Sequence, residues 1–248
     1  MVRWVRQACH GVARAHDLRL LHNDIKPGNL FLNAQGEALV GDFGTATLLP
    51  QGASATPCPG TTAEIAAPEV AAAWKTPTPS ASVQSDVFSL GATAFWLLTG
   101  RPPYDFSGIT DFDAKMRIAL TQQPPRLRDL APHVPQYVGN VIEKAMTRAP
   151  GGRYPSVTAF ATALGSRTGV TRRWRRTDEH PGHFACWRGE PVTGGGTYVL
   201  CLEIGSRPTQ GTITAVQAGS GRRVNRGCRT TPMRSWGQGV RAAIKALS

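Results

Sequence analysis

The stretch "LHNDIKPGNLFLNAQGEALVGDFG", Leu21 to Gly44, constrains this chain more than any other. "NLFL" and "EALVGDFG" are short apolar runs, and the "NAQGE" between them carries turn residues, so the pair predicts a small hairpin. Just ahead of it, His22, Asp24, Lys26 and Asn29 fall within eight residues, with Pro27 and Gly28 restricting the backbone between them. Loops held on rigid scaffolds are where chemistry is usually done. Asp42 follows eighteen residues after Asp24. A carboxylate to take a hydroxyl proton, an Asn and an Asp to hold magnesium, and an ammonium to neutralise developing charge are what transfer of a phosphoryl group requires.

The surrounding sequence gives this loop a scaffold. Val5, Ala8, Val12, Ala15 and Leu18 recur at helical spacing and predict a helix over 2–20 that leads into the loop. Leu48 to Pro68 is rich in Pro, Gly, Ser, Thr and Ala without periodicity and reads as a long loop. "SDVFSLGATAFWLLTG" predicts a buried helix with Ser85 as its N-cap, ended by Gly100, Pro102 and Pro103. Helical patterns recur over 113–121, 134–147 and 156–164.

With these motifs in order, the chain resembles the eukaryotic-like serine/threonine protein kinases over about Val2 to Leu164. "HNDIKPGN" resembles their catalytic loop, "DFG" at Asp42 to Gly44 their magnesium-binding motif, and "APE" at Ala67 to Glu69 the end of their activation segment. The resemblance implies a mainly α kinase-like C-terminal lobe over 1–166 that uses ATP and Mg to phosphorylate protein hydroxyls. Asp24, Lys26, Asn29 and Asp42 would be catalytic, with Asn29 and Asp42 holding the metal and Phe31 lining the adenine site. His22, Phe43, Gly44, Thr62, Glu69, Asp86 and Arg153 would support them: Asp86 anchoring the catalytic loop, Arg153 pairing with Glu69, His22 stacking on Phe43, and Thr62 contacting Asp24. Aminoglycoside-type phosphotransferases share a His-x-Asp loop with an Asn five residues on, but Lys26 and the "APE" segment favour protein kinases.

Two departures from the family pattern carry expectations. Asn23 stands where many protein kinases have an arginine that pairs with a phosphate on the activation loop. Thr45, Thr47, Ser54, Thr56 and Thr61 are therefore weaker candidates for an on-switch. The family's glycine-rich loop, strand lysine and helix glutamate have no counterpart before the catalytic loop here. This predicts an N-terminally truncated catalytic domain, weak in binding ATP by itself; an inactive kinase-like scaffold is the alternative.

The remainder differs in kind. Residues 1–166 hold 14 Lys and Arg against 12 Asp and Glu, whereas 167–248 hold 14 against 4. The break sets a domain boundary near Arg167, then a basic linker over 167–178 and a small basic α+β domain over 179–248. Its strands are expected in "GTYVLCLEIG" and "GTITAVQAG" and a helix from Trp236 to Leu247. "RRWRR" could meet a polyanion, with Trp174 stacking on a base. His180, His183, Cys186, Cys201 and Cys228 are candidate zinc ligands, set against buried thiols, and no CxxC pair is present. Five cysteines without a secretory signal point to reduced thiols and a cytoplasmic setting. No apolar run approaches the roughly 20 residues that cross a bilayer, so no membrane partner is expected.

Overall fold

The computed structural model describes residues 1–166, 171–178 and 180–248. The chain divides into two compact units, Met1–Arg126 with Tyr137–Arg167 and Leu127–Gln136 with Thr168–Ser248. The expected boundary at Arg167 and the start of the last domain at residue 179 lie outside the described residues.

In the first unit, α1 (Val2–Asp17) buries Val5, Ala8, Cys9, Val12 and Ala15, a stripe of helical period. Arg19, in the left-handed region at φ 60°, then turns the chain into β1 (Leu20–Leu21). The loop carrying His22, Asp24 and Lys26 follows, ending in a 3-10 turn at Pro27–Asn29. Next, β2 (Leu30–Leu32) pairs antiparallel with β3 (Ala38–Val40). Helix α1 grips this hairpin's turn: Arg3 and Trp4 donate to Gly36 O at 2.7 and 3.0 Å, and Gln7 Oε1 accepts from Ala38 N–H.

The segment expected as a long loop is tethered along its length. β4 (Thr47–Leu48) pairs with β1, and Thr56 bridges to Ala81. A 3-10 turn at Ala63–Ile65 leads into α2 (Pro68–Ala72). Helix α3 (Val83–Thr99) is buried continuously from Ser85 to Phe95. Its N-cap is Ser82, not Ser85: Ser82 Oγ accepts from Ser85 N–H at 3.1 Å while Ser85 Oγ accepts from Ser82 N–H at 2.8 Å. Gly100, at φ 78°, closes the other end. Helices α4 (Phe112–Thr121), α6 (Gln136–Ala145) and α7 (Val157–Gly165) complete this unit, with α5 (Leu127–Leu130) falling in the second.

The second unit is a five-stranded antiparallel sheet in chain order: β5 (Arg172–Thr177), β6 (Ala185–Pro191), β7 (Tyr198–Ile204), β8 (Gln210–Gln217) and β9 (Arg229–Pro232). Helix α8 (Trp236–Leu247) lays Val240, Ala243 and Leu247 on one face, against Trp187, Leu200, Leu202, Ile213 and Ala215. Three expectations need correction. Arg172–Thr177 is an edge strand in register with β6, not a linker. Trp174 packs over Gly189, where an added Cβ would lie 2.7 Å from its ring, and joins the core beneath α8, so it is not free to stack on a base. The segment 127–136, expected in the first domain, packs in the second: Arg241 donates to Arg128 O at 2.5 Å.

Candidate active site

Asp86 organises the loop that carries the candidate residues. It sits in the first turn of α3 with no solvent exposure, where the helix N-terminus favours a negative charge. Its Oδ2 accepts from His22 N–H at 2.9 Å and its Oδ1 from Asn23 N–H at 3.0 Å. His16 Nε2 adds a third contact at 2.8 Å. One buried carboxylate thus orients two successive peptides and caps the approach to Asp24. Thr93, two turns further along α3, donates to Ile25 O at 2.5 Å and fixes the other side of the loop.

His22 links this loop to the segment bearing Asp42. Its Nδ1 accepts from Asp24 N–H at 3.3 Å, so the ring proton belongs on Nε2, which donates to Gly41 O at 3.1 Å. Gly41 N–H donates in turn to Asn29 O at 3.0 Å. The His22 and Phe43 rings stack at 4.6 Å between centroids, although Phe43 remains 41% exposed instead of lying in the core.

These supports bring Asp24, Lys26, Asn29 and Thr62 together. Lys26 Nζ lies 2.7 Å from Asp24 Oδ2 and donates to Thr62 Oγ1 at 2.9 Å. Asn29 Nδ2 donates to Asp24 O at 2.8 Å and to Asp24 Oδ2 at 3.3 Å. Asp24 Oδ2 is thereby held from two sides, whereas its Oδ1 is buried with no hydrogen-bond partner. A buried carboxylate oxygen left bare costs free energy, which makes this oxygen a place for an incoming donor. With its NH2 group turned to Asp24, Asn29 keeps its carbonyl oxygen, a hard donor of the kind magnesium takes.

Asp42 stands apart from that network. Its backbone is left-handed at φ 59°, its side chain is exposed, and Oδ1 accepts from Gly44 N–H at 3.3 Å. Gly44 thus shapes the Asp42 turn. Phe31, expected to line a ligand, is 54% exposed on β2, beside exposed Leu32 and Leu39.

The activation-like segment is tied to the loop by uncharged groups. Asn23, left-handed at φ 67°, donates to Thr45 O at 2.8 Å. Thr45 and Thr61 donate their hydroxyls to His22 O and Asn23 O at 3.2 and 2.8 Å. Within the same segment, burial pushes the Cys58 thiol pKa up, and the Asp86 and Asp24 carboxylates add to the shift. Further away, Arg153 pairs with Glu69 through two parallel contacts of 2.6 and 2.7 Å.

Sequence reasoning missed His16, Thr93 and the tethering role of Thr45 and Thr61. A buried hydroxyl within the apolar run 90–98 was the available signal for Thr93. His16 adjoins the buried stripe of α1, which marks it as inward-facing but names no partner.

Residues 1–162 match the family described as protein kinase domain. The chain is 33% identical over 181 residues to a probable serine/threonine-protein kinase of Corynebacterium efficiens, covering 70% of this chain and 26% of that one. It is 33% identical over 150 residues to serine/threonine-protein kinase PrkC of Bacillus subtilis, covering 60% and 22%. With serine/threonine-protein kinase PknK of Mycobacterium tuberculosis it is 32% identical over 231 residues, covering 84% and 20%. The chain therefore spans about a quarter or less of the length of these relatives.

Proposed function

Because the chain belongs to the protein kinase family, we propose that residues 1–166 supply the catalytic loop and activation segment of a serine/threonine protein kinase that uses ATP. Asp24 accepts the proton of a substrate hydroxyl through Oδ1, the oxygen without an internal partner. Lys26, held between Asp24 and Thr62, places its ammonium beside that oxygen's carboxylate and offsets charge on the transferred group. Asn29 and Asp42 offer an amide oxygen and a carboxylate for magnesium, which when bound supplies charge neutralisation at the phosphates. Asp86, His22 and Thr93 position these groups without touching reactants. A protein hydroxyl is the favoured acceptor because Lys26 is tied to Thr62 of the activation-like segment, where a peptide would lie. The exposed apolar side chains of Phe31, Leu32 and Leu39 suit contact with a nucleotide base and with the nucleotide-binding lobe of the fold.

The same network supports a kinase that needs no activation-loop phosphate. Asn23, Thr45 and Thr61 already hold the segment to the loop through neutral hydrogen bonds. No arginine at position 23 calls for a phosphate partner.

The observation that carries the reading is the buried Asp24 carboxylate, fixed by Lys26 and Asn29 on one oxygen and bare on the other. The natural polypeptide containing these residues, assayed for magnesium-dependent transfer of radiolabelled phosphate from ATP to a protein substrate, tests it. Asp24→Asn is expected to cut the rate by roughly 10²–10⁴-fold with the melting temperature nearly unchanged. Undiminished transfer in that variant would refute the assignment.

A further inference from the structure

Across the second unit's sheet from α8, four side chains suited to a borderline-soft metal converge. Alternation along β6 and β7 turns Trp187, Leu200 and Leu202 towards α8, and Cys186 and Cys201 to the opposite face. The two cysteines are direct cross-strand partners, only 2% and 4% exposed, with their Sγ atoms 3.1 Å apart. The connection between β5 and β6 brings two histidines over them. His180-Pro181-Gly182-His183 closes as a turn, His183 N–H donating to His180 O at 3.3 Å with Gly182 at φ 89°. Proline second and glycine third is the pattern of a type II turn. It sets the two imidazoles side by side, with centroids 5.2 Å apart.

The donor atoms face one another. His180 Nδ1 lies 3.0 Å from Cys201 Sγ and 3.7 Å from Cys186 Sγ, and His183 Nδ1 lies 3.5 Å from Cys186 Sγ. All four ligand atoms fall within 4.8 Å of one another. Zinc bonds of about 2.3 Å to sulfur and about 2.0 Å to nitrogen imply tetrahedral edges of roughly 3.3–3.8 Å, close to this spacing.

We propose that His180, His183, Cys186 and Cys201 bind one zinc ion as a closed structural site. Two thiols and two imidazoles select zinc over the oxygen-seeking magnesium and calcium. Four protein ligands leave no position open for a substrate, which assigns a structural and not a catalytic role. Glu203 lies 3.6 Å from His183 Nε2, the nitrogen facing away from Cys186, where a carboxylate orients a metal-bound imidazole. A disulfide between the cross-strand cysteines would leave two imidazoles aimed at sulfur without a purpose. Cys228 has no part in the site: it packs into the core beneath α8 and its Sγ accepts from Ala215 N–H. On the side of the cysteines the apolar cluster is small, Val199 with Val216 and Ala218 beside the two thiols, so the ion is what pins the histidine turn to the sheet.

Elemental analysis of the tag-free full chain, purified under reducing conditions and reloaded with zinc before desalting, is the test. About one zinc per chain is expected, lost in Cys186→Ser and His180→Ala and kept in Cys228→Ser and Asp42→Asn. Cobalt substitution of the unaltered chain, which does not depend on a variant folding, should give the absorption of tetrahedral, thiolate-bound cobalt. A reduced chain that retains no metal after reloading, a six-coordinate cobalt spectrum, or a Cys186–Cys201 disulfide that persists under reductant would each overturn the proposal.

Discussion

Arg153 carries its charge on a side chain with no solvent exposure, and all five of its N–H groups are used. Nε donates to Thr147 O, Nη1 to Glu69 and Gln84 O, and Nη2 to Glu69 and Arg148 O. Its guanidinium also lies 4.9 Å from the Phe88 ring centroid. Removing Glu69 would leave the cation with carbonyl dipoles alone. Glu69→Ala should therefore cost about 3 kcal/mol, the lower end of what breaking a buried pair costs, since Glu69 is itself partly exposed. Glu69→Gln, which keeps one acceptor, should cost less; urea midpoints of the three proteins check the order. Thr62 differs in that its hydroxyl anchors Lys26, the proposed catalytic cation, instead of a core. Thr62→Val removes one hydrogen bond to a charged partner, so urea unfolding should show a loss of about 1.5 kcal/mol, and a displaced Lys26 should slow phosphate transfer about tenfold. At this scale the loop was readable because Asp24, Lys26 and Asn29 are neighbours in sequence. The bare Asp24 Oδ1 was not, since it depends on which oxygen Lys26 and Asn29 occupy.

Elements were legible where a local rule governed them and opaque where a partner did. The β2–β3 hairpin follows from a short turn between two apolar runs, and α1 from its stripe. The start of α3 was placed three residues late because its capping box is Ser-x-x-Ser, lacking the Glu or Gln that usually marks the third position. Ser82→Ala should cost about 1 kcal/mol, as loss of an N-cap does, measurable as a fall in thermal midpoint, and Ser85→Ala should reproduce part of it. Strand β5 was opaque for another reason. An edge strand can carry charge along its exposed side, so "RRWRRT" has the composition of a linker and the geometry of a ladder. Close helix contact makes a sharper demand in α3. A Cβ on Gly91 would lie 2.9 Å from Met146 Cγ and 3.0 Å from Ala145 Cβ. Gly91→Ala, favourable by helix propensity, should instead destabilise by about 1–3 kcal/mol through overpacking; circular dichroism melts would show the sign.

For the whole molecule, the sequence showed a break in charge but not which segments pack together. Residues 127–136 belong by sequence to the helical stretch and by contact to the second unit. That assignment rests on pairings distant in sequence, such as Arg241 with Arg128, which no local pattern reveals. It also partly buries His133, whose Nδ1 is shielded from solvent and has no hydrogen-bond partner. Burial, with the Arg176 charge adding to it, lowers its pKa from 6.5 to about 4. Between about pH 6.5 and 4 the unfolded chain binds a proton here that the folded chain refuses, so unfolding takes up a proton and acid favours it. Stability from this group is therefore whole above pH 6.5 and declines as pH falls towards 4, by at most about 3 kcal/mol and less to the extent that water reaches the ring. Carboxylates titrate across part of the same window, so the informative quantity is a difference. Urea unfolding free energies of the natural chain and of His133→Gln, measured from pH 7 to 4.5, should converge as pH falls, because glutamine has no proton to gain. Two curves that stay parallel would show that His133 titrates as it does in water.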